Sequence, residues 1–215
     1  NGYGGNSSSV SSDLSSGVIE VFSSGGAAAA LKSDGSVITW GYEGSGGNSS
    51  SVSSDLSSDV IKIYSTDEAF AALKSDGSVV TWGGWGGDST SVSAELNSGV
   101  ISIHSTPHAF AALKSDGSVV TWGGSPNGGD SSSVSSDLTS GVTEIFSTGS
   151  AFAALKSDGS VVTWGSTYGG DSSSVSSDLS SGVNSIYSNK WAFAALKSDG
   201  SVVTWGESSF GGDRD

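Results

Sequence analysis

The sequence predicts an all-β protein, a β-propeller with blades of about 41 residues. The segment AFAALKSDGSVVTWG, at Ala151–Gly165, recurs in near-copy along the 215-residue chain. Short runs of β-branched residues that are separated by Asp-Gly turns, and that repeat at this period, are typical of propeller blades. The tryptophans that close the five copies stand 42, 40, 42 and 41 residues apart, at Trp40, Trp82, Trp122, Trp164 and Trp205.

Each repeat is predicted to contain three antiparallel strands, as the fourth repeat illustrates. The rough alternation of β-branched and aromatic residues in GVTEIFST predicts the first strand, at Gly141–Thr148. The second strand is predicted at Ala151–Ser157 and the third at Ser160–Gly165. The Asp-Gly pair between them, which begins at Asp158, is a strong signal for a hairpin turn.

A serine-rich segment follows the third strand and lies at Asp171–Ser181 in the fourth repeat. Its apolar residues, Val175 and Leu179, stand four positions apart. That spacing suits one helical turn as well as two anchors of an irregular strand. We expect an irregular outer strand or loop, and a helical turn is the alternative.

The five repeats are predicted to form a single domain, residues 1–215, in which five blades make one closed ring. A Gly-Gly pair followed by Asn or Asp occurs six times, first at Gly4 and last at Gly211, so both chain ends fall at the same point of the repeat. The N-terminal serine-rich segment is therefore expected to complete the last blade and to leave no free strand edge. The alternative is a larger ring, for example a seven-bladed one, of which this chain supplies a part.

The charge of the chain argues against nucleic-acid and membrane partners. The formal net charge is −14, from 8 basic and 22 acidic residues. Five of the basic residues are one repeated lysine, which leaves no basic patch to neutralise phosphates. We therefore expect no nucleic-acid partner and no membrane insertion. The repeated lysines are Lys32, Lys74, Lys114, Lys156 and Lys197.

The chain contains neither cysteine nor methionine. The lack of cysteine excludes disulfides, thiol catalysis and thiolate metal sites. Since methionine is also missing, we expect that the chain begins after processing or was cut from a longer protein. An extracellular or cell-surface location is favoured.

No arrangement of residues in the sequence predicts catalysis, a cofactor or a metal site, so we expect a protein that is not an enzyme. The two histidines, His104 and His108, do not form the HExxH pair of zinc enzymes. The aspartates that follow the Gly-Gly pairs are possible calcium ligands, although the EF-hand spacing is missing. These aspartates are Asp88, Asp130, Asp171 and Asp213.

The pattern SGV, then ALKSDGSVVTWG and a Gly-Gly turn, resembles the RCC1-like propeller repeat over essentially the whole chain. It looks closest to the short-blade bacterial branch, typified by β-lactamase inhibitor protein II. The resemblance implies a propeller that binds proteins through one face. Three features depart from the family pattern: five repeats instead of the usual seven, Asp59 in place of the SGV glycine, and Gly-Gly where the family often has Gly-Gln.

Differences between the repeats are concentrated in two loops, one between the first and second strands and one just before the Gly-Gly pair. Equivalent loops of successive propeller blades lie on the same face, so we expect these variable residues to form a recognition surface. In the inhibitor relatives the first loop carries the aromatics that contact the partner, which implies such a role for His108 and Trp191. The candidate partner-binding residues are Asp67, Glu68, His108, Lys190 and Trp191 from the first loop, and Tyr3, Trp85, Tyr168 and Phe210 from the second.

These features predict a non-enzymatic binding or scaffold propeller that recognises a protein partner through one loop face. A carbohydrate-binding propeller is the first alternative, but it requires similar aromatics in every blade, and Ser45 and Asn127 interrupt the series. A structural repeat module of a large surface protein is the second alternative. The near-identity of the repeats suits it.

Overall fold

The computed structural model describes residues 5–212, in which each repeat forms a three-stranded antiparallel sheet. The predictions of an all-β fold and of three strands in each repeat are confirmed. The strands of the first three blades are β1 Val18–Ser23, β2 Ala27–Lys32, β3 Val37–Gly41, β4 Val60–Ser65, β5 Ala69–Lys74, β6 Val79–Gly83, β7 Val100–Ser105, β8 Ala109–Lys114 and β9 Val119–Gly123. Those of the last two are β10 Val142–Ser147, β11 Ala151–Lys156, β12 Val161–Gly165, β13 Val183–Ser188, β14 Ala192–Lys197 and β15 Val202–Gly206.

In every blade the second strand lies between the first and the third. In the fourth blade the turn that joins β11 to β12 is fixed by its Asp-Gly pair. Gly159 has a φ of +79°, which favours glycine, and the Asp158 carboxylate accepts hydrogen bonds from the backbone N–H (2.9 Å) and hydroxyl (2.6 Å) of Ser160. These hydrogen bonds lower the pKa of Asp158. The hairpin that the sequence predicts is thus closed by its own side chain.

The serine-rich segments of residues 5–212 are loops that contain short 3-10 turns, so the expected outer strand does not form and the alternative of a helical turn is correct. In the fourth repeat the Asp171 carboxylate accepts the backbone N–H of Ser173 (2.9 Å), and Ser176 Oγ donates to the Ser173 carbonyl (3.0 Å). Such local bonds compete with strand pairing and start a turn. The turn buries Val175 and Leu179.

The 3-10 turns of the serine-rich segments are Ser8–Val10, Ser50–Val52, Thr90–Val92, Glu95–Asn97, Ser132–Val134 and Ser173–Val175. Further short helical segments precede the Gly-Gly pairs, at Glu43–Ser45, Ser125–Asn127, Thr167–Gly170 and Ser208–Phe210. The repeated lysine holds each serine-rich segment to the strands that follow it in the chain. Lys32 Nζ thus donates to the Asp13 carbonyl (3.0 Å) within the first blade, so the expectation that the N-terminal segment completes the last blade was wrong. In the third and fourth blades, Lys114 Nζ donates to the Glu95 carbonyl and Lys156 Nζ to the Asp137 carbonyl, each at 2.7 Å.

In the three inner blades the second strand is buried on both faces. In β11, Phe152 and Ala154 pack against the third blade, while Ala151, Ala153 and Leu155 pack against the fifth. Phe152 also stacks on Trp164 of its own blade, with ring centroids 5.3 Å apart. The alanines let consecutive sheets approach closely, so the apolar core lies between the blades.

Backbone hydrogen bonds join consecutive blades at the same positions. At the junction of the third and fourth blades, Val142 N–H donates to the Gly117 carbonyl (3.0 Å). A Cβ on Gly117 would lie 2.7 Å from the backbone nitrogen of Gly141, so only glycine allows this approach. At the next junction Val161 N–H donates to the Leu179 carbonyl (2.9 Å).

At three of the four junctions between consecutive blades, the closing tryptophan of the later blade adds a third bond. The indole N–H groups of Trp82, Trp164 and Trp205 each donate to a glycine carbonyl of the preceding connection at 3.0 Å. The indole nitrogen of Trp122 is buried and has no hydrogen-bond partner among residues 5–212. The connection that precedes its blade has only Gly84 and Trp85 between Trp-Gly and Gly-Gly, whereas the others have three or four residues. This length difference produces the unequal tryptophan spacing and accounts for the missing bond.

We predict that Trp164→Phe destabilises the protein more than Trp122→Phe, by about 1 kcal/mol. Both changes remove an indole from the same packing position, but only the first leaves a buried carbonyl, that of Gly128, without its donor. Chemical denaturation of the two variants measures the difference. Equal losses of stability would show that the indole bond does not contribute.

The second blade departs from the others at Asp59, where the other four repeats have glycine. Asp59 has a φ of +67°, close to the +76° to +80° of Gly17, Gly99, Gly141 and Gly182. A side chain in this left-handed region is strained, although aspartate tolerates it better than most residues. The turn geometry of the repeat is therefore maintained at some cost in the second blade.

We predict that Asp59→Gly stabilises the protein by up to about 1 kcal/mol, because it relieves the left-handed strain. The reverse change, Gly141→Asp in the fourth blade, is the matched control and should destabilise it by a similar amount. Urea denaturation of both variants tests the pair. A destabilising Asp59→Gly change would contradict the strain argument.

Candidate functional site

The two variable loops of each blade lie on one face of the protein. We call the three residues between the first and second strands the strand loop, and the residues between Trp-Gly and Gly-Gly the connecting loop. Strand-loop side chains donate to connecting-loop carbonyls of the same blade: Ser24 to Ser45 (2.8 Å), Thr106 to Asn127 (3.0 Å) and Asn189 to Phe210 (3.0 Å). The two predicted sets of variable residues therefore form a single surface, the loop face.

The strand loops have a backbone that is fixed by hydrogen bonds. In the fourth blade the buried Thr148 hydroxyl accepts the N–H of Ala151 (3.1 Å), which closes the loop on itself. Consecutive loops also bond to one another, as Gly25 N–H donates to the Asp67 carbonyl (2.7 Å) and Asp67 N–H to the Pro107 carbonyl (2.8 Å). The variable side chains at the second and third loop positions are thus presented by a rigid support.

The first cluster on the loop face joins the second and third blades. Trp85 stacks on His108, with ring centroids 5.3 Å apart and an angle of 27° between the rings. The backbone N–H of Trp85 donates to the Glu68 carboxylate (3.4 Å), and Asp67 is exposed beside it. The indole of Trp85 remains 57% exposed, so the cluster offers a flat aromatic surface bordered by two carboxylates.

The second cluster lies on the fifth blade. Trp191 packs against Phe210 with ring centroids 5.8 Å apart, and Lys190 Nζ lies 4.9 Å from the centre of the Trp191 ring. An ammonium group at that distance makes a cation–π interaction. Phe210 and Lys190 are exposed, so this cluster offers aromatic surface beside a positive charge.

Tyr168 and Tyr42 extend the exposed aromatic surface. Tyr168 is exposed on the connecting loop of the fourth blade, where its carbonyl accepts the Ser150 hydroxyl at 3.5 Å. Tyr42 was missed by the sequence analysis because it stands at the start of its connecting loop and not just before the Gly-Gly pair. It is exposed and lies against the Gly26 backbone. The predicted residue Tyr3 lies outside the described residues.

A shallow groove of about 410 Å³ runs along the strand loops of the first three blades. Its walls include Ser24, Gly25, Thr66, Asp67 and Pro107. The lining is mostly polar backbone and hydroxyl groups. The groove thus continues the loop face from the Trp85–His108 cluster towards the first blade.

The remaining polar residues of the sequence analysis have local structural roles. The carboxylates of Asp130 and Asp171 each accept a backbone N–H two residues ahead at 2.9 Å, and these bonds lower their pKa. Asp88 bonds in the same way to Thr90, and Asp213 lies outside the described residues. His104 is half-buried in β7; burial, and secondarily the charge of Lys62, lower its pKa.

Residues 5–212 contain neither a cluster of metal-binding side chains nor a membrane-spanning helix. No three side chains of His, Cys, Asp or Glu among them lie close enough together to hold a metal ion. Within the same range, none of the helical segments has the length and apolarity needed to span a bilayer.

Comparison with known proteins identifies the fold. No protein-family model and no curated protein matches the chain. Yeast RCC1 (Prp20), solved with bound Kap60, matches with a TM-score of 0.56 and 18% identity, over 88% of this chain and 56% of that one. Human WBSCR16 matches with a TM-score of 0.53 and 20% identity, over 88% of this chain and 61% of that one. The chain spans a little over half the length of these proteins.

A second structure of the same yeast protein gives the same agreement. Prp20p from Saccharomyces cerevisiae, solved separately, gives a TM-score of 0.54 at 18% identity over 88% of this chain and 57% of that chain. Five three-stranded sheets with this period are the blades that the sequence predicts. The chain therefore has the fold of the RCC1-like β-propellers.

Proposed function

We propose that this chain is a non-enzymatic binding propeller that recognises a protein partner through its loop face. The observation that carries the proposal is the presence of exposed aromatic clusters, Trp85–His108 and Trp191–Phe210, at the positions where otherwise near-identical repeats differ. Aromatic side chains on a rigid support lose little entropy on binding and often dominate interface energies.

The fold supports this proposal. Yeast RCC1 (Prp20) was solved bound to Kap60, and Prp20p is described as having binding properties to Gsp1p and histones. Proteins with this architecture thus offer surfaces to other proteins. The similarity to the bacterial branch of the family and the extracellular or surface location stay predictions.

The chemistry of the two clusters indicates what a partner should present. Asp67 and Glu68 border the Trp85–His108 cluster, so a partner with an apolar centre and adjacent basic groups would complement it. Lys190 gives the fifth-blade cluster the opposite sign. Tyr168 lies on the fourth blade, between these clusters in chain order, and we assign it to the same surface.

The unequal packing of the loop aromatics argues against one carbohydrate site in every blade. Trp85 packs on a residue of the following blade, whereas Phe210 packs within its own blade, so the aromatics are not equivalent. A purely structural repeat module would tolerate the loss of both clusters. These two alternatives are distinguished by the binding experiment.

We predict that the double variant Trp85→Ser, Trp191→Ser loses at least about tenfold in affinity for a protein partner. The experiment is a pull-down from a mixed pool of proteins and glycans, followed by titration of the retained molecule against the original chain and the variant. Because these side chains lie on loops and outside the apolar cores between the blades, we expect the variant to unfold at nearly the same denaturant concentration as the original.

The matched control is Ile61→Ser, Ile101→Ser. These isoleucines are each 57% exposed and stand near the beginning of their strands, whereas the strand loops follow the ends. A protein retained by the original and the control but lost by the loop variant is the expected result. Retention of glycans alone would favour the carbohydrate alternative, and equal binding by all three proteins would contradict the proposal.

A further inference from the structure

The first blade exposes the face that every other blade buries against its predecessor. We call this the upstream face; in the first blade it contains Leu14, Val18, Val21, Ala28 and Trp40. Val21 is 57% exposed, whereas its equivalents in the other four blades are 1–3% exposed. These equivalents are Ile63, Ile103, Ile145 and Ile186.

The fifth blade exposes the opposite face. We call it the downstream face; in the fifth blade it contains Tyr187, Ala194, Leu196, Val202 and Gly211. Val202 is 50% and Tyr187 62% exposed. Ala194 is half-buried, whereas the equivalent alanines of the first four blades are fully buried between sheets.

The downstream face contains a depression, and at an internal junction the aromatic rings of the next blade lie against it. In the fourth blade a Cβ on Gly169 would lie 3.2 Å from the Phe193 ring of the next blade, and the Gly169 carbonyl accepts the Trp205 indole (3.0 Å). The same position in the fifth blade is Gly211, where a Cβ would meet nothing within 4 Å. A groove of about 260 Å³, lined by Tyr187, Phe210 and Gly211 among others, occupies this place.

The two faces also carry complementary backbone groups. At each internal junction a valine at the start of the first strand donates to the hairpin glycine of the preceding blade: Val60 to Gly35, Val100 to Gly77, Val142 to Gly117 and Val183 to Gly159. The corresponding groups at the two ends are the Val18 N–H and the Gly200 carbonyl. The internal glycines lie against the next backbone, while a Cβ on Gly200 would meet nothing within 4 Å.

We propose that the downstream face of the fifth blade binds the upstream face of the first blade in a second copy of this chain. That face offers two hydrogen-bonding groups that are used at three of the four internal junctions: an indole at Trp40 for the Gly211 carbonyl, and the Leu14 carbonyl for the Val202 N–H. It also offers Val21, whose apolar equivalents are buried at all four junctions. None of the hydrogen bonds among residues 5–212 joins the first and fifth blades of one chain.

This association is head-to-tail and leaves the Trp85–His108 cluster open, whereas Phe210 lines the downstream groove and also belongs to the fifth-blade cluster. A heterologous interface of this kind exposes one upstream and one downstream face on every assembly until a ring closes. Two or more copies thus extend the series of blades.

The test uses single substitutions on each face of the full chain. Val21→Asp places a carboxylate on the upstream face and Val202→Asp places one on the downstream face, and both residues are already exposed. We expect the original chain to sediment at multiples of 21.2 kDa as its concentration rises. Each variant alone should associate about a hundredfold more weakly, because a buried unpaired carboxylate opposes the contact.

The mixture of the two variants is the decisive measurement. Val21→Asp retains a downstream face and Val202→Asp an upstream face, so an equimolar mixture should form pairs and nothing larger. Ile61→Asp, at a 57% exposed position outside both faces, is the control and should associate like the original.

Several outcomes would overturn the proposal. An original chain that remains a single copy at high micromolar concentration would show that the faces meet within one chain or need a different partner. A single variant that still associates would place the contact elsewhere. A mixture that forms no pairs, although both variants unfold at the original denaturant concentration, would exclude head-to-tail pairing.

Discussion

The rest of the structure depends on the face-to-face packing of consecutive blades. A three-stranded sheet of five- and six-residue strands buries too little apolar surface to be stable alone. The second strands of the three inner blades, with the sequence AFAALK, are buried on both faces and join each of these sheets to its two neighbours. Glycines such as Gly117 permit the backbone contact that fixes each junction. Stability therefore comes from the junctions, as in other repeat architectures.

This dependence separates the residues that hold the fold from those that can vary. The loop face takes no part in the sheet cores, so Trp85 and Trp191 can differ from their equivalents without changing a junction. The exception is the two-residue connecting loop of the second blade. Its shortness brings Trp85 against His108 of the next blade and leaves the Trp122 indole without a partner. The same short loop thus creates the Trp85–His108 contact and removes one hydrogen bond between the second and third blades.

The sequence predicted the local structure well because strand alternation and Asp-Gly turns act over a few residues. It failed at the serine-rich segments, where the spacing of Val175 and Leu179 fits two structures and side-chain bonds from Asp171 decide between them. The variable residues of the candidate site were named from the sequence, and their role in binding a partner stays a prediction. The pairing of Trp85 with His108 was not predicted, because it joins loops of two blades and depends on the length of a connecting loop.

Hydrogen exchange tests most directly whether the junctions hold the sheets. The measurement is made at a concentration at which the chain sediments as a single copy. The account predicts slow exchange for the Val142 and Val161 amides, which donate across internal junctions. It predicts exchange at least about tenfold faster for the Val202 amide, which has no equivalent acceptor among residues 5–212. Equal protection of Val202 and Val161 would contradict the account, because it would show that the outermost sheet edge is protected without a covering blade from a second copy.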